Sequence, residues 1–168
     1  HYYGHGVYSP DARLLYVTMN NYHTSAGLVR VYDAFDGYRQ VADFDLQGIG
    51  PHELRLHPDG NTLIVALGGI ETHPDYDRIK LNLDRMEPAL LLLDRHSGEI
   101  TARYTPSHHQ LSCRHLDVSP DGELLATCGN DRLINIWSVN DRRQVQEVPG
   151  TLPLLISIKA LEAMEAVW

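Results

Sequence analysis

Histidine is the residue with the most chemistry to offer in this chain, with 10 among 168 residues. Three of them recur at matching places: His5, His52 and His115 precede Pro10, Pro58 and Pro120 by 5, 6 and 5 residues. Imidazole titrates near neutral pH and is the commonest protein metal ligand. Rings delivered from equivalent positions of a repeat suit copper, zinc or iron. Glu53 adjoins His52, and Glu71 lies two residues from His73, so each carboxylate can add a ligand or orient a ring. The candidate metal set is therefore His52, His73 and His115. The same residues have a plain structural use, because a polar residue opening a strand hydrogen-bonds its neighbours or water, and ten histidines produce some regular spacing by chance. His23, His57 and His96 fall in turns or loops and take no role.

Other chemistry is thin. The chain carries no Gly-x-Ser-x-Gly elbow, Walker loop, His-Glu-x-x-His or Cys-x-x-Cys. Ser112 and Cys113 lie near His109 and His115 without an evident base and orienting group. Asp43 and Asp45 are two apart in a strand or its edge, which puts both on a solvent face. No catalytic residue is assigned.

The elements that position the histidines follow from a recurring turn. Ser9-Pro10-Asp11-Ala12, His57-Pro58-Asp59-Gly60 and Ser119-Pro120-Asp121-Gly122 share one pattern. Proline presets φ for such a turn, and Asp and Gly suit its far side. An apolar or alternating run follows each: Leu14 to Thr18, Leu63 to Leu67 and Leu124 to Cys128. A further strand ends in Asp33, Asp94 or, in the third unit, Trp137-Ser138; a turn and a fourth strand then close the unit. The prolines are 48 and 62 residues apart, and an insertion from Gly68 to Pro88 accounts for the longer interval. Four short strands per unit of about 40–50 residues define a β-propeller blade. The predicted fold is all-β: a propeller fragment of about three four-stranded antiparallel blades over residues 1–150, with repeats near 5–50, 51–112 and 113–150. Residues 151–168 fit no repeat, and their end prefers helix. Three blades leave two open edges, through which the piece can associate with a partner.

Composition narrows the partners. A net charge of −8 without any basic run argues against nucleic acid. The apolar stretches Ala89 to Leu93 and Leu152 to Ile158 are too short to span a bilayer. The chain opens at His1 without Met or an apolar leader, which suggests a fragment or a mature form. If Ser119 faces Gly122 across its turn, Cys113 falls opposite Cys128, at the Cα separation of about 5.5 Å that a disulfide takes. A bridge and two buried thiols both remain open.

The insertion is a second candidate site. Long loops in compact domains are often functional. With Glu53, the polar groups Glu71, Lys80 and Asn82 form a candidate ligand or partner loop. Its plain alternative is a cover for the channel or a bridge to the next blade.

The third unit resembles a WD-repeat blade from His108-His109 through Asn130-Asp131 to Ile136-Trp137. The resemblance implies a structural hydrogen-bonded tetrad of His109, Thr127, Asp131 and Trp137. His108 replaces the usual Gly, and Ser138 the usual Asp. Tyr32-Asp33 and Leu93-Asp94 in the first two units lack the tetrad's Trp.

Four stretches carry a second resemblance: His5-Gly6-Val7-Tyr8, Gly48-Ile49-Gly50-Pro51-His52-Glu53-Leu54, Gly68-Gly69-Ile70-Glu71-Thr72-His73-Pro74, and the segment around His108 to Leu116. Over about residues 4 to 120 the chain resembles the bacterial family called domain of unknown function 1513. That resemblance implies a seven-bladed periplasmic propeller, exported on a twin-arginine signal and encoded near iron-uptake genes. It supplies no catalytic residues. The leading expectation is a non-enzymatic binding or scaffold module taking a protein partner or small ligand at the channel face, with a link to iron acquisition implied by family alone. The competing one is a metal-dependent oxidoreductase or hydrolase with inner-strand histidines as ligands.

Overall fold

The computed structural model describes residues 2–71, 81–106, 113–129 and 133–149. Twelve strands in these residues form three separate four-stranded antiparallel sheets, each a simple up-and-down meander. The first holds β1 (Tyr2–Tyr8), β2 (Leu14–Asn21), β3 (Ala26–Asp33) and β4 (Arg39–Asp45). The second holds β5 (Pro51–Leu56), β6 (Thr62–Leu67), β7 (Ala89–Asp94) and β8 (Ile100–Tyr104). The third holds β9 (His115–Val118), β10 (Leu124–Cys128), β11 (Leu133–Ser138) and β12 (Arg143–Pro149). Helix among the described residues is limited to one 3-10 turn, Leu83–Arg85. The helix-prone tail, 151–168, lies outside them.

The repeated turns have one geometry. Ser9 N–H donates to the Leu14 carbonyl, His57 to Thr62 and Ser119 to Leu124, at 2.8, 2.8 and 2.9 Å. Ser9 and Ser119 also accept the amides of Leu14 and Leu124 on Oγ, both at 2.9 Å. The fourth residue of each turn is left-handed: Ala12 at φ 58°, Gly60 at 70° and Gly122 at 80°. Glycine adopts that conformation freely, whereas Ala12 carries a modest strain. At the end of the third strand, Asp33 Oδ1 accepts from Phe35 N–H and Asp94 Oδ1 from His96 N–H, both at 3.0 Å. Ser138 Oγ instead accepts from Asp141 N–H, three residues on, at 3.0 Å, and this hairpin is one residue shorter, with Ser138 pairing Arg143 where Asp33 pairs Arg39.

These turns correct the cysteine register. Ser119 faces Leu124 rather than Gly122, which places Cys128 opposite His115. Cys113 precedes β9, and both cysteines are thiols.

Sheets pack face to face around two cores. Val29, Val31, Phe44 and Tyr16 of the first sheet meet Leu63, Val65, Leu67, Leu91 and Leu93 of the second. The opposite face of the second sheet gives Ile64, Ala66, Leu90 and Leu92 to Leu116, Leu125 and Trp137 of the third. Burial on both faces explains why the β7 run Ala89-Leu90-Leu91-Leu92-Leu93 shows no alternation. First strands lie nearest one another, β1 against β5 and β5 against β9. Successive sheets stacked face to face, with their first strands innermost, are three consecutive blades of a β-propeller.

Candidate functional site

The inner ends of the three blades bring His5, His52 and His115 together. The ring centroids of His5 and His52 are 5.5 Å apart, and those of His52 and His115 are 4.9 Å apart in an edge-to-face arrangement. A bulge explains the irregular spacing before the prolines. Pro51 pairs with Leu67 but Glu53 with Ala66, so His52 is the extra residue of β5. Bulges re-aim side chains, and this one turns His52 toward rings from both neighbouring blades. The register of β1 also shifts between Tyr2 and Gly6, around His5.

Glu53 fastens one ring of this group, His115. It is 5% exposed, and both its oxygens are engaged. Oε1 accepts from Arg55 Nε at 3.0 Å and lies 2.9 Å from its terminal nitrogen. Oε2 meets His115 Nδ1 at 3.1 Å and accepts the Leu116 amide at 3.2 Å. The carboxylate thus orients His115 and ties β5 to β9. It orients the ring of the next blade, whereas its sequence position suggested its neighbour His52.

Burial, reinforced by the His115, Arg114 and His5 charges, lowers the pKa of His52 to about 4, although Glu53 pulls the other way. Its Nδ1 is buried without a hydrogen-bond partner among the described residues, and so is Nε of Arg114. The depressed pKa makes a prediction. The unfolded chain binds the proton at the ordinary value of 6.5 and the folded one only near 4, so folding stability falls as pH drops through that window. The expected loss is about 1–2 kcal/mol once solvent screening of this half-buried ring is allowed for. Urea titrations between these limits should show His52→Gln with a flatter stability–pH curve than the parent chain. Equal curves would contradict a neutral His52.

The other candidate residues are placed as follows. His73 and Lys80 lie outside the described residues, as do His109 and Asp131 of the tetrad. The remaining tetrad pair is in contact, Trp137 Nε1 donating to Thr127 Oγ1 at 2.9 Å. Asn82 is 3% exposed and occupied by its own loop: Nδ2 donates to the Gly69 carbonyl at 2.8 Å and Oδ1 accepts the Glu71 amide at 2.7 Å. Glu71 accepts the Ser25 hydroxyl at 2.7 Å, pinning the loop to the first blade. Among the described residues no three His, Cys, Asp or Glu side chains form a group that could hold a metal ion. Sequence reasoning gave Arg114 no role and missed the turn contact of His57, whose Nε2 lies 2.9 Å from the Gly122 carbonyl of the next blade. Neither contact leaves a local pattern in the sequence.

Comparison with solved structures agrees with the propeller class. The chain is similar to the hydrazine synthase of Kuenenia stuttgartiensis with a TM-score of 0.62 and 20% identity, over 85% of this chain and 36% of that one. Identity this low conveys fold alone, and the chain spans about a third of the length of that relative. No curated protein matches. The chain belongs to a family described as protein of unknown function, DUF1513, whose model matches residues 1–133. No helix among the described residues is long and apolar enough to cross a membrane.

Proposed function

We propose that this chain is part of a non-enzymatic binding or scaffold module, exported to the periplasm, that takes a small ligand or protein partner at the channel face. The observation that supports it is the convergence of His5, His52 and His115 from three blades onto one place. Polar groups gathered at the inner end of a propeller, with a buried carboxylate fixing one ring, give a ligand several contacts at little ordering cost. A role in iron acquisition belongs to the proposal through the family resemblance.

The alternative is a metal-dependent oxidoreductase or hydrolase, favoured by ring separations that two imidazoles on one ion would also show. Against it stand the Arg114 charge, which disfavours a cation at His52, and the engagement of Glu53 by hydrogen bonds. Elemental analysis of the purified full chain decides between them. The expected result is no stoichiometric copper, zinc or iron, and an unchanged thermal midpoint when each is added. Stoichiometric metal that disappears in both His52→Ala and His115→Ala would overturn the binding-module reading.

A further inference from the structure

We propose that the histidine cluster is a small-oxyanion subsite, taking a carboxylate or phosphate group on His52 and Arg114; this deepens the binding-module reading and rests on it. Two polar atoms that the fold buries without a partner among the described residues are His52 Nδ1 and Arg114 Nε, and Arg114 adjoins His115, whose ring lies 4.9 Å from that of His52. Guanidinium nitrogens only donate, and an imidazole nitrogen donates in the tautomer or charge state that an anion selects. A buried donor left unmade is costly, so a pair of them in one place calls for an acceptor. An anion satisfies both, whereas a metal cation would meet the Arg114 charge.

The surroundings agree. From β1 comes His5, from β5 come Glu53 and Arg55, and from the start of β9 come Arg114 and His115. The only carboxylate among these is Glu53. It is held by Arg55, His115 and the Leu116 amide, so its charge is largely answered before a ligand arrives. The rest are two permanent cations, Arg55 and Arg114, and three imidazoles.

Isothermal titration calorimetry of the metal-free full chain, with inorganic phosphate and with malonate against chloride of equal ionic strength, tests the subsite. Saturable binding is expected at about pH 6. A weakening of about tenfold or more is expected in Arg114→Gln and in His52→Ala, the scale of one charge-assisted hydrogen bond. Saturation by phosphate alone assigns a phosphate group, and by malonate alone a carboxylate. The thermal midpoint of each variant without anion shows whether it is folded. Histidine ring resonances of the parent chain give a readout free of any variant, with His52 expected to shift on adding the anion that binds. Absence of saturable binding by either anion, or unchanged affinity in folded Arg114→Gln, overturns the subsite. Such a failure in metal-free protein leaves the wider binding reading intact, which falls only on the metal result above.

Discussion

Gly69→Ala is expected to lower the stability of the chain by about 2–5 kcal/mol, read as a fall in the urea midpoint. Gly69 opens the insertion with φ at 68°, and a Cβ there would lie 2.6 Å from Pro88 N and 2.7 Å from the Glu87 carbonyl carbon. Both are backbone atoms at the far end of the same loop, so no side chain can swing aside. Moving the loop would also disturb the bond from Gly69 N–H to the Ile49 carbonyl and the Asn82 clasp on the Gly69 carbonyl. Gly37 is the control. It has a similar φ of 57° and nothing within 4 Å of the place a methyl group would take, so Gly37→Ala should show backbone strain alone, about 1 kcal/mol. Equal losses at the two glycines would refute the steric account.

Leu91→Ala carries the second large effect, a loss of about 3–5 kcal/mol in the same titration. Leu91 is fully buried and belongs to the core between the first two blades. Truncation removes apolar contact and leaves a cavity that flanking strands, fixed by their ladders, cannot close. Leu124→Ala, at a residue 40% exposed, should cost less than about 1.5 kcal/mol. A Leu91 variant as mild as that one would mean the two blades do not pack through this face.

The repeat was legible because turn chemistry is local. Pro with Asp, then Gly, announces a hairpin within four residues, and the observed strands Leu124–Cys128, Ala89–Asp94 and Leu133–Ser138 fall where the turns put them. The cysteine register failed on a local detail: the Ser119 side chain and backbone hold Leu124, two residues past the assumed partner. Part of the site was legible too. The recurrence of His5, His52 and His115 ahead of the prolines located the cluster, and the sixth residue in the second interval is the bulge itself. What could not be read was non-local. Glu53 reaches His115 across 62 positions, and Arg114 gains meaning only from the charge it brings to bear on His52 of another blade. Residue types and spacings announce the strands; which side chains share a blade junction depends on how successive sheets are stacked.

The Glu53 clasp couples chemistry at the inner rim to cohesion of the second and third blades. A molecule that grips rings from separate blades must also resist their splaying, and by reciprocity anything that splays them loosens its hold. The Leu116 amide, bonded across the junction to Glu53, is the natural reporter: its hydrogen exchange should slow whenever the rim is occupied, even though the ligand never touches it.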